Sequence, residues 1–464
     1  GKIVIYVVKF LYREGMYMEK RKYSSFYKEI FVLALPIAGQ HLISQVLQLI
    51  DNIMVGSLGE DSISAVAINF TFTWLIMTFF MGFSSGSSVL CAQEYGRKNI
   101  AKMKALTATV IRINLVIAAI MFTVGTIFPS QILSLYTNQQ GVVQKGVEYF
   151  SVIKYSIPVF AVNFALISML QAAKNVKIGF INTTISCVVN AGLNYLLIYG
   201  KFGFPCLGVK GAAIATLVAR LVELGIVLFY IFFMEKTLNF KVSDFFLRLD
   251  KESFKTLFKV SIPILVIEIL SNLVSSVQTS ITGHISPYYI AANSIVHTAW
   301  VIPSTLSFGI SMASGVMIGN VIGEGDMEKV QAYAEKFVGF GVLFGIINSA
   351  VLTIILPIIM AQYNVTAETL DLAGKMGKLA IVTVFFISVA SIVCNGVIKA
   401  SGNTRTLLIL DIVANWVIAI PLGYICAFVI KVPVHYLYLI LRGGNIVKGV
   451  WGTYKVKTKS WMKA

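Results

Sequence analysis

Twelve stretches of this chain run apolar for about twenty residues or more, and no other feature narrows the fold as far. Their approximate bounds are 31–56, 63–90, 106–128, 148–171, 178–199, 210–234, 257–282, 290–316, 334–357, 376–399, 406–430 and 433–453. A hydrocarbon core about 30 Å thick takes roughly 20 helical residues to cross. Lipid offers no water to backbone amides, so such stretches must satisfy their hydrogen bonds internally, as helices. The strands of a membrane barrel are about half as long and alternate in polarity. Charged residues make up only 13% of the chain, where soluble domains carry about 25%. These features predict an all-α polytopic membrane protein with twelve transmembrane helices. The last stretch is the weakest, because Arg442, Gly443, Gly444, Asn445 and Lys448 interrupt it.

The net charge of +17 would suit a nucleic-acid partner in a soluble protein. Its placement points elsewhere. With a cytoplasmic N-terminus, the Lys and Arg residues crowd into loops on that side: 13–28, 97–104, Lys174 with Lys177, 236–259, Lys329 with Lys336, Lys399 with Arg405, and 455–463. The opposite loops hold only Lys145, Lys201, Lys210, Lys375, Lys378 and Lys431. The positive-inside rule then places both termini in the cytoplasm. The lipid bilayer is its expected partner and nucleic acid is not. Cys91, Cys187, Cys206, Cys394 and Cys426 are scattered, with neither a disulfide framework nor zinc spacing. No Walker loop, nucleophile elbow or metal motif occurs, so neither an ATP-driven pump nor an enzyme is expected, and no cofactor.

The chain also repeats itself. "LALPIAGQHLIS" (33–44) resembles "VSIPILVIEILS" (260–271), carrying Pro36 onto Pro263, a shift of 227 positions. Without a gap the same shift takes Gly56 onto Gly283, Ala65 onto Ala292, Gly82 onto Gly309, Gly96 onto Gly323 and Tyr136 onto Tyr363. The register then slips by one, so "QAAKNVK" (171–177) meets "KASGNTR" (399–405). Six spans per repeat insert with the same orientation, so two six-helix lobes should be related by a pseudo-twofold along the membrane normal. The expected organisation is an N-terminal cytoplasmic segment (1–26), an N-lobe (27–235), a cytoplasmic linker (236–256), a C-lobe (257–453) and a basic tail (454–464). Residues 1–17 are expected either to lie on the membrane surface or to stand outside the natural protein.

Carboxylates inside spans are rare because each costs about 2.5–3.5 kcal/mol at the bilayer centre, and they mark ion or substrate paths. Asp51 lies roughly 10 Å inside the first span at helical rise, and Glu268 lies near the middle of the seventh. Asp411 and Glu223 sit closer to span ends, near Arg405 and Arg220, where structural pairs are expected. Asn190 and Asn194 share a helix face at i, i+4 spacing, and Thr216 lies on the next span. Carboxylate, amide and hydroxyl oxygens form a hard set that suits a small cation. Pro36, fifteen residues before Asp51, removes a helical hydrogen bond and offers a bending point. Gln278, the repeat mate of Asp51, joins Gln40, Gln45, Gln48, Asn163, Gln171 and Asn293 as polar candidates for a cleft between the lobes or for ties between helices. Trp74, Trp300 and Trp416 could stack on an organic cation or simply pack.

Several segments resemble the multidrug and toxic compound extrusion (MATE) family. These are "LALPI", "IDNIMVGSLG" and "ISAVAI" within 33–68, "EYGRKNIAKMKA" after the second span, "GVKGAAIAT" before the sixth, and "SIPILVIEILSN" with "AANSIV" in the second half. The resemblance implies a secondary antiporter that exports organic, often cationic and amphipathic, compounds or drugs in exchange for H⁺ or Na⁺ by alternating access. It implies a cation or proton site at Asp51, Asn190, Asn194 and Thr216, helix bending at Pro36, and coupling or substrate contact in the C-lobe at Glu268; Gln278, the repeat mate of Asp51, is the second C-lobe candidate for that role. Asn194 departs from the family pattern, where a second Asp stands, and this leaves Asp51 as the single titrating group. The expected partner is a small organic cation or drug, and the chain is expected to work as a monomer. The alternative is a lipid-linked oligosaccharide flippase of the same wider superfamily, which would line its cleft with several basic residues.

Overall fold

The computed structural model describes residues 24–462, and every regular element among them is helical. Most of the expected N-terminal segment lies outside these residues, as does the end of the basic tail. Among the described residues, ten helices are long and apolar enough to cross a membrane, and a helix pair bent by 53° supplies an eleventh span. The spans begin with Ser24–Gly56, Glu60–Gly96 and Ile100–Ile127. The bent fourth span, Gln140–Ile153 with Ser156–Ala172, and the fifth and sixth, Lys177–Tyr199 and Gly208–Phe229, complete the N-lobe. A connection containing one short helical turn, Val242–Phe246, leads to Lys251–Gly283, Pro287–Glu324, Met327–Met360 and Ala367–Ala390. The tenth span continues through a π-helical segment, Ser391–Ile398. The eleventh runs from Thr404 through alternating α and π turns to Val429.

The twelfth span is broken. Val434–Leu441 stops at Arg442 and Gly443–Lys457 begins anew. The interruption follows the polar and glycine residues that weakened this stretch in the sequence. Ending a helix orphans its last carbonyls, and here the side-chain amide of Gln278 donates to the Leu441 carbonyl at 2.6 Å. The π segment of the tenth span is supported in a similar way. Ser311 of the eighth span donates to the Ser391 carbonyl at 2.6 Å, and Ser314 donates to that of Ile392 at 3.4 Å.

The internal repeat reappears as matched local chemistry. Asn99 caps the third span by accepting from the Lys102 amide at 3.2 Å, and its repeat mate Asp326 caps the ninth by accepting from the Lys329 amide at 2.9 Å. The left-handed residue before each cap is also matched, Lys98 (φ 60°) with Gly325 (φ 83°), as are Lys174 (φ 63°) and Gly402 (φ 83°).

Contacts between the lobes obey the same shift. The first span packs against the eighth, and the second against the seventh and eighth. A Cβ placed on Gly82 would stand 2.8 Å from the Leu265 Cβ, and one on Gly309 would stand 2.8 Å from that of Ala38, the repeat mate of Leu265. Deeper along the same helices, a Cβ on Gly96 would overlap the Asn320 carbonyl, and one on Gly323 the carbonyl of Gln93, the repeat mate of Asn320. Two hydrogen bonds complete the set. Gln93 donates to the Ala400 carbonyl at 2.8 Å, and Asn320 donates to the Ala172 carbonyl at 3.1 Å. Ala172 and Ala400 are themselves mates after the one-residue slip. Reciprocal contacts of this kind are the mark of a twofold relation. Glycines let backbones approach closely where lipid offers no hydrophobic drive for helices to associate. The lobes are thus clasped at the end that carries the basic loop 97–104 and its repeat mate 324–329. There Phe26 of the first span packs edge-on against Tyr333 and Phe337 of the ninth, with ring centroids 4.7 and 5.3 Å apart.

Candidate functional site

Asp51, Asn190, Asn194 and Thr216 come together inside the N-lobe. The fifth span packs against both the first and the sixth, and i, i+4 spacing turns both amides toward them. Asn194 Nδ2 donates to Asp51 Oδ1 at 2.6 Å and to Asn190 Oδ1 at 2.9 Å. Asn190 Nδ2 in turn donates to Thr216 Oγ1 at 3.3 Å. Both asparagines are buried at 1% exposure, so unpaired amide groups there would be costly. Asn194 Oδ1 nevertheless has no hydrogen-bond partner among the described residues.

One helical turn beyond Thr216, Arg220 pairs with Glu223 at 2.6 Å and covers the Phe160 ring at 4.8 Å. Its guanidinium lies within electrostatic reach of Asp51. The pair expected from Arg220 and Glu223 therefore forms, and the two charges offset one another beside these residues.

The C-lobe has a different interior. Under the slipped register, Thr216 corresponds to Gly444 and Arg220 to Lys448. Asp411 pairs with Lys448 of the twelfth span, not with Arg405 as the sequence suggested, and Asn415 Nδ2 adds a bond to Asp411 at 3.2 Å. Proximity along one helix favoured Arg405, but the packing of neighbouring spans brings Lys448 closer. Gln278 serves the break in the twelfth span, and Asn293 accepts from Arg442 at 3.0 Å beside it. Neither lines the space between the lobes.

That space is a cavity of about 320 Å³. The N-lobe supplies Gln40, His41 and Gln171 to its wall, and the C-lobe supplies Glu268, Asn395 and Lys399. Gln171 donates to Gln40 at 3.4 Å. His41 stacks on Phe308 with ring centroids 4.5 Å apart and planes 26° from parallel. Lys399 reaches across the interface and donates to Ser85 Oγ at 2.9 Å. The Glu268 carboxylate lies within electrostatic reach of Lys399. None of Trp74, Trp300 and Trp416 lines this cavity.

The wall obeys the repeat, since His41 and Glu268 are mates, as are Gln171 and Lys399. Its formal charges stand in the C-lobe half alone. Lys399 had been assigned to a cytoplasmic loop by the charge count along the chain. The signal that could have found it was the alignment of "QAAKNVK" with "KASGNTR", which set it opposite Gln171. Pro36 lies within the first helix, one turn before Gln40, and the helix runs through it unbroken.

Comparison with known proteins agrees with this architecture. The MatE family model matches residues 36–196 and 263–425, one segment in each lobe. The chain is 25% identical over 430 residues to the probable multidrug resistance protein YoeA of Bacillus subtilis, covering 91% of each chain. It is 23% identical over 414 residues to the probable multidrug resistance protein NorM of Thermotoga maritima, covering 88% of this chain and 87% of that one. Its fold matches the solved outward-facing structure of a multidrug resistance MATE family transporter of the MOP superfamily, with TM-score 0.85 at 16% identity over 94% of this chain and 97% of the other.

Proposed function

The chain belongs to the MatE family of multidrug efflux transporters, and we propose that it is a monomeric antiporter of the inner membrane that exports organic, often cationic and amphipathic compounds in exchange for H⁺. The observation that carries this reading is the buried chain of bonds from Asp51 through Asn194 and Asn190 to Thr216. It contains one carboxylate and otherwise neutral partners, and its neighbouring Arg220 is already paired with Glu223. One uncompensated negative charge suits one proton.

The first span links this site to the cavity, because it carries Asp51 near one end and Gln40 and His41 on the cavity wall. Protonation of Asp51 weakens the charge-assisted bond from Asn194. The first span is then free to shift or bend at Pro36 and to move the cavity wall with it. Proton entry from outside and release inside would drive the substrate outward by a rocking of the two lobes. With both termini cytoplasmic, as the loop charges suggest, the clasped end faces inward and the arrangement is closed to the cytoplasm.

Na⁺ is a second reading, favoured by the unpartnered Asn194 Oδ1, an oxygen free to ligate a cation next to Asp51. A lipid-linked oligosaccharide flippase fits less well. Lys399 is the single Lys or Arg among the described residues lining the cavity, where a pyrophosphate would call for several. The test is efflux of ethidium from vesicles under a pH gradient and a Na⁺ gradient imposed separately, with native protein and Asp51→Asn. Efflux driven by the pH gradient and lost in the variant supports proton antiport. Efflux under the Na⁺ gradient alone supports the second reading, and full efflux in the variant overturns both.

A further inference from the structure

We infer that the cavity between the lobes selects compounds carrying an acidic group together with a cationic one, with Lys399 as the specificity-determining residue; this rests on reading that cavity as the substrate site. Lys399 stands at the end of the tenth span, where a lysine ordinarily extends toward water. Here it turns inward to the cavity wall and bonds Ser85 of the opposite lobe at 2.9 Å. An ammonium carries three donors, and this is the one hydrogen bond its side chain makes among the described residues. In the same lobe's part of the wall, the Glu268 carboxylate accepts no hydrogen bond from the described residues.

The site therefore presents one positive and one negative group, each incompletely satisfied, with no net charge. A simple cation gains from Glu268 and loses to Lys399. A molecule with both charges satisfies both, placing its amine toward Glu268 and its acid toward Lys399. The stacked pair of His41 and Phe308, on the same cavity wall, offers a ring surface to an aromatic body. A volume of about 320 Å³ falls at the small end of pockets that hold drug-sized ligands, roughly 300–1,000 Å³. The symmetry sharpens the point. The N-lobe position equivalent to Lys399 holds neutral Gln171, so the positive group is an addition of one lobe and not a requirement of the fold.

Rhodamine 110 carries a free carboxylate on a cationic ring system, and rhodamine 123 is its methyl ester. Binding of the two dyes to the purified full-length protein, followed by fluorescence polarisation, isolates the acidic group. The native protein should prefer rhodamine 110 by roughly tenfold to a hundredfold, the scale of a hydrogen bond to a charged group. Lys399→Gln should bring that ratio close to one, and Lys399→Arg should keep it. Ser85→Ala, which removes the bond between lobes and leaves the charge, should also keep it. Equal affinity of the native protein for both dyes, or an equal loss of both in Lys399→Gln, overturns the inference. Lys399-dependent binding of a short-chain phosphatidylethanolamine without any of rhodamine 110 would identify the acid as a lipid phosphate and overturn the assignment to soluble amphoteric compounds. Gradient-driven efflux of the same dyes separates the two levels. A binding preference without coupled export refutes antiport and leaves the selectivity standing, and coupled export without preference does the reverse.

Discussion

Asn194 donates a 2.6 Å hydrogen bond to Asp51, joining the first and fifth spans across 143 positions of sequence. The bond places a neutral amide where the family pattern has a second carboxylate. It makes the charge state of Asp51 the natural variable of the N-lobe interior.

Replacing Asp51 by Asn removes the titrating group and keeps the shape. Gradient-driven efflux should fall at least about tenfold, the effect of losing a buried charge-assisted bond of roughly 1.5–3 kcal/mol. The amount of protein in the membrane should stay level. Efflux and immunoblot on the same vesicles check both halves, and native-like efflux would remove Asp51 from the coupling.

Asn194→Asp creates the missing carboxylate against Asp51. Two negative groups so close favour a bound cation, so the variant should gain Na⁺-driven efflux that the native protein lacks or shows weakly. Dye export under a Na⁺ gradient at fixed pH measures this. An unchanged ion dependence would show that the second acid does not select the ion.

The clasp at the basic-loop end predicts paired effects. Gly96→Ala would press on the Asn320 carbonyl and Gly323→Ala on that of Gln93, and overpacking typically costs about 1–3 kcal/mol. Each should shift the population toward a state open at that end, and by similar amounts. Spin-label distances between the second and eighth spans would report it. Gly339→Ala, where an added Cβ meets nothing within 4 Å, is the control.

Asp411→Asn should be destabilising because it leaves the half-buried Lys448 without its partner, a loss smaller than the roughly 3–5 kcal/mol of a fully buried pair. Asp411→Asn combined with Lys448→Gln should recover much of it. Thermal denaturation in detergent of the three variants forms the double-mutant cycle. Additive losses would show that the two residues do not interact.

The connection between the lobes carries a pH dependence of its own. Burial pushes the Asp244 carboxyl up, but the Lys104 ammonium at 2.9 Å and the Lys241 backbone amide at 2.8 Å outweigh it and hold the group below its ordinary value. A depressed carboxylate stabilises the folded form above its unfolded value, and that contribution disappears as pH falls through the lower folded one. Docking of this segment against the third span should therefore be flat from about pH 8 to about pH 5 and weaken only in stronger acid. Protease cleavage within residues 235–250 tracks the docking, and Asp244→Asn should be cut faster throughout that range.

Much of this arrangement was legible in the sequence. The long apolar stretches announced the spans, and the 227-residue shift announced the twofold relation that Gly96 and Gly323 now display as reciprocal contacts. Asp51 stood out because little else in its helix was ionisable. Asn190 and Asn194 were set on one face by their spacing, and the structure brings that face to Asp51. What stayed hidden depended on azimuth and on neighbours. Depth along a helix can be counted in residues, but the direction of Lys399 at a helix end cannot, since its long side chain reaches either way. The partner of Asp411 is chosen by which helix lies alongside, so Lys448, thirty-seven positions away, displaced the nearer Arg405. Gln278 could have lined the cleft or tied two helices, and only the break at Arg442, which leaves a carbonyl for it to cap, decides for the tie.

The broken twelfth span has a consequence for how the protein is made. Arg442 and Lys448 dilute its apolar character, so this helix is the poorest candidate of the twelve for unaided insertion as it leaves the ribosome. The eleventh span enters first and carries Asp411, whose carboxylate waits without its counter-charge until Lys448 arrives. Lys448 then neutralises it, and Gln278 of the seventh span donates to the carbonyl that the break leaves open. Completion of the twelfth span thus draws on the eleventh and the seventh helices. A nascent chain that stalls before Gly443 would display a stranded acid and an uncapped amide within the bilayer, the polar signature by which membrane quality control can recognise an unfinished product.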